Sequence, residues 1–180
     1  DRVVVHEGTY RENISPERGA RNELGRIVYM AAEGEHVVIK GSEVVTEWEV
    51  MENNCSIRYT TVDNAIFGDY NPYLQAIEGD WLARPKDHLK HTGTVYINGQ
   101  ALTEAAILEE LEQKKMYWFA EVGDAFTVIY ANFGDMLPEE SLVEITVRKT
   151  CFYPEKLGID LMVSPSLDEI KDEMLDFKVY

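Results

Sequence analysis

Over the first 46 residues the apolar positions come in short runs, "RVVVH" from Arg2, "RIVYMAA" from Arg26 and "HVVIKG" from His36. Between them lie the polar stretches "RENISPERGARNELG" and "EGE". β-Branched residues dominate the runs and Gly, Glu and Asn fill the gaps, which predicts short strands joined by turns. The gaps are too short for helical crossovers, so two arrangements remain: a sandwich, or one coil of a parallel β-helix. A single coil cannot bury its own apolar faces, because stacking on neighbouring coils supplies the core. If residues 1–46 are a partial coil, the chain as given is expected to be incomplete.

From Glu47 the runs lengthen to "SIRYTTV", "TVYING", "MYWFAEV", "FTVIYANF" and "SLVEITVRKT". In the last, Val143, Ile145 and Val147 alternate with Glu144, Thr146 and Arg148, which predicts a strand with one face on a core and one in water. Asn98-Gly99 follows "TVYI", and both residues tolerate positive φ, so a tight hairpin is expected there. Thr103 can cap a helix running to about Lys115, with Ala106, Leu108 and Leu111 as its apolar stripe. Residues 47–150 thus read as an antiparallel β-sandwich with one short helix at about 103–115. Residues 151–180 read as a return strand and an acidic amphipathic helix. In "SPSLDEIKDEMLDF", Ser166 and Glu169 form a capping box, and Leu167, Ile170, Met174 and Leu175 share a face. The fold class is mostly β: an incomplete right-handed parallel β-helix coil, a sandwich with one short helix, and a short C-terminal helix.

Composition narrows the partners more than the fold. The chain has 180 residues, enough for one core that buries ~70% of the unfolded surface. Its 17 Lys and Arg face 33 Asp and Glu, and the net charge of -16 repels phosphate backbones and anionic lipid heads. Nucleic acid and membrane surfaces are therefore not expected partners, and no apolar run reaches the ~18 residues of a spanning helix. The start, "DRVVVHEGTY", has neither an initiator Met nor a basic leader, so the natural N-terminus is expected upstream. Cys55 and Cys151 have no C-x-x-C spacing and are expected to be unpaired buried thiols.

Candidate chemistry is sparse. His88 and His91 stand three apart beside Asp87, but "RPKDHLKHTG" is a charged, Pro-interrupted stretch without further ligands, so solvated loop histidines outweigh a metal site. His6 and His36 fall at strand edges and carry less information. Asp69, Glu78 and Asp80 share one loop, yet a glycosidase needs two carboxylates at a set separation, and surface acid is the usual fate of such residues in so acidic a chain. No serine-hydrolase, zincin, P-loop or dinucleotide motif occurs. The remaining signal is aromatic: Tyr70, Tyr73 and Trp81 lie among turn-forming Gly, Asn, Pro and Asp in "IFGDYNPYLQAIEGDWL". Such rings can stack on the C–H faces of a sugar while Asp or Asn bonds its hydroxyls, or they can pin a long loop to a sheet. Composition alone favours pinning.

Several segments together resemble glycoside hydrolase family 120. They are "DRVVVHEGTYRE", "AAEGEHVVIKGSEVV" with Trp48 after it, "FGDYNPY", "GDWL", "HTGTVYINGQALTEA", "YWFAEV" and "TVIYANFGDMLPEESLVEITVRKTCFYPEKLGID". The family consists of bacterial β-xylosidases built on a right-handed parallel β-helix that carries an inserted β-sandwich. The resemblance covers about residues 1–160 and stops before "LMVSPSLDEIKDEMLDFKVY". It implies retaining hydrolysis of xylo-oligosaccharides, with an aspartate nucleophile and a glutamate acid/base. In the family both belong to later coils, so no catalytic residue is expected in this chain. It further implies that Trp81 stacks on substrate, with Asp80 and Tyr73 as companion contacts. No cofactor or metal is implied; the implied partners are a xylo-oligosaccharide and further copies of the chain. A bacterial, cytoplasmic rather than secreted setting goes with these. Two other readings stay open: a stand-alone carbohydrate-binding module and a structural or oligomerisation β domain.

Overall fold

The structure, a computed structural model, describes residues 2–16, 27–78, 89–153 and 177–179, the last by backbone alone. The expected C-terminal helix, with Ser166 and Glu169, lies outside the described residues. The chain divides into two compact units, Asp1–Gly41 with Thr150–Tyr180, and Ser42–Lys149. The first division falls five residues before the boundary drawn from the sequence, because Ser42–Val44 is already a strand of the second unit.

Among the described residues of the first unit every strand pairing is parallel. Strand β1 (Arg2–Val5) pairs with β3 (Val28–Ala31), and β4 (Val37–Ile39) lies between β2 (Gly8–Tyr10) and β14 (Phe177–Val179). Ile14 forms a further parallel bridge with Phe152. Phe152 also meets Tyr29 edge-on, with ring centroids 5.0 Å apart. Val37, Val38 and Ile39 are all buried, which is why β4 reads as an unbroken apolar run rather than an alternating one. The separate two-stranded sheet of β1 and β3 is different: its Val3, Val4, Val28 and Met30 are exposed.

The second unit is built from two sheets. One has the order β10-β11-β12-β7-β6 and the other β5-β13-β8-β9. The first comprises β6 (Glu49–Met51), β7 (Asn54–Asp63), β10 (Thr103–Glu104), β11 (Tyr117–Val122) and β12 (Phe126–Asn132). The second comprises β5 (Ser42–Val44), β8 (Val95–Ile97), β9 (Gln100–Ala101) and β13 (Val143–Thr146). Alternation sends Trp118 and Ala120 of β11, and Ile129 and Ala131 of β12, into a core shared with Val95, Ile97, Val143 and Ile145 of the other sheet. The arrangement is a β-sandwich. A smaller cluster on the outer face of the five-stranded sheet gathers Ile57, Ala105 and Leu111 with Tyr117, Phe119 and Tyr130. Asn98 and Gly99 make the β8–β9 turn at φ 50° and 81°.

Three local expectations are corrected. No α-helix forms at 103–115. Thr103 and Glu104 instead join the sheet edge in parallel register with Tyr117 and Trp118, and only a 3₁₀ turn, Leu108–Glu112, follows. Edge pairing takes the backbone bonds a helix would have made, and the residues left over, 105–115, fall short of the ~12–15 an isolated helix needs. The turn holds because Leu111 is fully buried and its carbonyl accepts a 2.7 Å bond from Asn132 Nδ2. Glu144 does not face water: it is 2% exposed, on a strand flanked by β5 and β8, and Ser42 Oγ donates to its Oε1 at 3.2 Å. Neither Cys55 nor Cys151 is in a disulfide, but Cys55 is exposed and Cys151 half-buried rather than buried.

Candidate functional site

The aromatic stretch from Ile66 is anchored before it can present anything. Asp63 caps a 3₁₀ turn over Asn64–Phe67 by accepting from Ala65 N at 2.8 Å. Below the turn, buried Thr127 donates to Asn64 Oδ1 at 2.7 Å and accepts from Asn71 Nδ2 at 2.9 Å. Asn71 Oδ1 in turn accepts from Tyr73 N at 3.0 Å. Asn64, Asn71 and Thr127 thus satisfy one another under the turn, as burial of polar groups requires.

Tyr73, expected as a sugar contact, is a core residue at 3% exposure. Its ring meets Trp118 edge-on at 5.3 Å and Phe67 at 5.9 Å, and its hydroxyl donates to Thr94 O at 3.2 Å. Burial holds its pKa well above the usual phenol value, although the bonded backbone near Thr146 opposes this. Gly93 makes the packing possible, since a Cβ there would stand 2.7 Å from the ring. Tyr70 is held as well, its hydroxyl 2.5 Å from Thr92 Oγ1. Asp80 and Trp81 lie outside the described residues, as do Asp87 and His88.

The segment that carries Asp80 and Trp81 leaves and re-enters through a two-stranded stem. Ala76 and His91 form an antiparallel bridge, Ile77 N donates to Lys90 O at 2.8 Å, and Thr92 N donates to Gln75 O at 3.0 Å. The stem is tied to the sheet by Glu104, whose side chain is 10% exposed. Its carboxylate accepts from His91 N at 2.9 Å and contacts His91 Nδ1 at 2.6 Å, while Lys90 Nζ donates to the Glu104 carbonyl at 2.8 Å. His91 is therefore not a free loop histidine. Glu104 was not singled out in the sequence, and nothing local could have marked it: the pair is 13 residues apart and meets only in the fold.

Beside this pair lies a cavity of about 220 Å³. Trp118, Phe119, Leu89 and three alanines supply apolar walls, and His91 and Glu104 supply a polar one. Among the described residues no group of three metal-ligating side chains exists. On the outer face, Tyr59 and Tyr130 stand with ring centroids 6.0 Å apart and donate to Glu49 and Glu121. The hydrogen bond to Glu49 raises the Tyr59 pKa, and burial, with Glu121 beside it, raises that of Tyr130. In the first unit, the bond from Glu7 N, followed by that from His6, lowers the pKa of Glu35.

Residues 45–117 match the family described as glycoside hydrolase 120, insertion domain. A solved structure described as XylC in complex with xylose is similar to this chain at 40% sequence identity and a TM-score of 0.79. The match covers 89% of this chain and 28% of that one, so the chain spans well under a third of XylC. No curated protein matches it.

Proposed function

We propose, from the match of residues 45–117 to the glycoside hydrolase 120 insertion domain, that the chain is the portion of a xylosidase-like glycoside hydrolase that contributes substrate contacts and no catalytic carboxylate. The observation that carries this reading is the 40% identity to XylC, a protein solved with xylose, over 89% of the chain. In this reading the substrate is a xylo-oligosaccharide, and hydrolysis proceeds with retention on carboxylates supplied outside this stretch. Trp81 stacks on the sugar and Asp80 bonds a hydroxyl, both carried by a stem that Glu104 ties to the sheet. The first unit is one coil of a right-handed parallel β-helix, a reading supported by its uniformly parallel pairings.

Titration with xylobiose tests it. Trp48 and Trp118 are 7% and 2% exposed, so a large change in emission on adding sugar is expected from Trp81, and Trp81→Ala should remove most of it. Nitrophenyl xyloside should not be hydrolysed by the 180-residue chain. Turnover abolished by a carboxylate substitution within the chain would overturn the assignment.

A further inference from the structure

A row of side chains crosses the outer face of the five-stranded sheet. Register sets Glu49 of β6 opposite Tyr59 of β7, Tyr59 opposite Tyr130 of β12, and Tyr130 opposite Phe119 of β11. The ring centroids of Tyr59 and Tyr130 are 6.0 Å apart with planes 37° from parallel, and those of Tyr130 and Phe119 are 6.5 Å apart at 32°. Core pairs differ: Trp48 with Phe133, and Tyr73 with Trp118, meet at 88°. All three outer rings are half-buried, so each keeps part of its surface in solvent. Phe119 and Tyr130 rest on Ile57, Ala105 and Leu111 and cannot sink further.

Both phenols give their proton to a carboxylate, Tyr59 to Glu49 Oε2 at 2.7 Å and Tyr130 to Glu121 Oε2 at 3.2 Å. The rim of the row is left with acceptors, since an ionised carboxylate only accepts. Glu49 and Glu121 are exposed, and neither has a cation partner among the described residues. The bond to Glu49, then burial and the charges of Glu49 and Glu52, raise the Tyr59 pKa, the response of a phenol in a negative field. Two residues before Phe119 on the same strand, Tyr117 shows what such a setting holds. Lys114 Nζ stands 5.2 Å over its ring centroid and 3.0 Å from Glu110 Oε1. Tyr59 and Tyr130 repeat the ring and the carboxylate without a lysine of the described residues.

Charge and spacing select the occupant. A second copy brings the same net charge of -16, and any anion meets Glu49, Glu52 and Glu121. A guanidinium suits both parts of the row, because its plane stacks on an aromatic face while its N–H groups fork onto a carboxylate. Alternate side chains of an extended segment point the same way ~6.4–6.8 Å apart, close to the 6.0 Å between the Tyr59 and Tyr130 centroids. We propose that this row docks an extended segment of a partner protein carrying arginines at alternate positions, the first guanidinium on Tyr59 and Glu49 and the second on Tyr130 and Glu121. The docking is independent of the xylo-oligosaccharide reading.

The test is a titration of the isotope-labelled full chain with the peptide Gly-Arg-Gly-Arg-Gly at ~0.15 M ionic strength, where charges beyond ~8 Å are screened. Gly-Gln-Gly-Gln-Gly and xylobiose serve as controls, and ring and amide shifts are followed. Saturable shifts confined to Tyr59, Phe119, Glu121 and Tyr130 are expected with the arginine peptide and none with the controls. Glu49→Gln with Glu121→Gln, both at exposed positions, should weaken binding about 5-fold. Tyr59→Leu keeps both carboxylates and should still weaken it roughly 3-fold, a loss that plain attraction to an acidic chain would not show. Circular dichroism checks that each variant is folded. If Tyr59→Leu is not, upfield ring-current shifts of the peptide's arginine side-chain protons on the parent chain read the same stacking. Shifts spread over the acidic surface and indifferent to Tyr59→Leu would overturn the proposal. So would a row that moves with xylobiose or the glutamine peptide as readily as with arginine, or that does not move at all.

Discussion

Gly93→Ala tests whether Tyr73 is as tightly held as its contacts imply. The added Cβ would stand 2.7 Å, 2.8 Å and 3.1 Å from Cδ1, Cε1 and Cγ of Tyr73, the first two closer than real Cβ contacts come and the third already tight. The ring has no simple retreat: Trp118 lies 5.3 Å from its centroid, Phe67 lies 5.9 Å away, and its hydroxyl is tied to Thr94 O. Gly93 cannot swing aside either, since its N–H donates to Pro72 O at 2.8 Å. Overpacking of this kind costs ~1–3 kcal/mol. In a domain of roughly 100 residues each kcal/mol moves Tm by ~4–8 °C, so a fall of roughly 5 to 20 °C is expected. The assay is thermal unfolding of the full chain by near-ultraviolet circular dichroism, for Gly93→Ala, Tyr73→Leu and the double variant. Leucine removes the aromatic ring the Cβ would meet, so the double variant should be more stable than the sum of the two single effects predicts. A Gly93→Ala chain within ~0.5 kcal/mol of the parent, or strict additivity, would refute the packing argument.

Further outcomes follow from single contacts. Tyr73→Phe should cost only ~0.5–1.5 kcal/mol in urea unfolding, because Thr94 O keeps its bonds from Thr146 N and Oγ1. The same phenol sets an alkaline limit: its folded pKa is raised, so its contribution to stability is full below the unfolded value of 10.0 and is lost as pH rises toward the folded one. Stability should accordingly fall above pH 10.0 with a shallower slope in Tyr73→Phe. Asn132→Ala frees the Leu111 carbonyl and the Gly134 N–H, which its side chain now satisfies; a loss of ~1–3 kcal/mol and faster amide exchange at Gly134 are expected. Glu104→Ala removes the acceptor of the His91 N–H, so exchange at His91 should accelerate markedly while exchange at Ile129 in the sandwich core changes little.

What the sequence revealed was local or periodic. Asn98-Gly99 needs only its own φ values, and "YWFAEV" and "FTVIYANF" announce β11 and β12 by alternation. What it concealed depends on partners distant in the chain. The stripe from Ala106 to Leu111 looks helical until β11 offers Thr103 and Glu104 an edge. Glu144 looks wet until β5 and β8 flank it. Tyr73 looks like a loop ring until Gly93, 20 residues on, is seen to leave room for it. The candidate site was legible only through the segment that bears it: the stretch around Trp81 stood out by composition, whereas His91 and Glu104 became a pair only in three dimensions.

The register Ser42↔Thr146 has a consequence for how such a protein is assembled from parts. Strands β5 and β13 run antiparallel as neighbours near the two limits of the second unit, so the chain enters and leaves that unit side by side. A module whose ends meet can be spliced into a host at a single turn, and equally removed, without asking the host to span a gap. The sandwich at Ser42–Lys149 is in this sense a cassette, able to be lost, exchanged or altered at its own cavity while the parallel strands on either side of it in sequence keep their pairing.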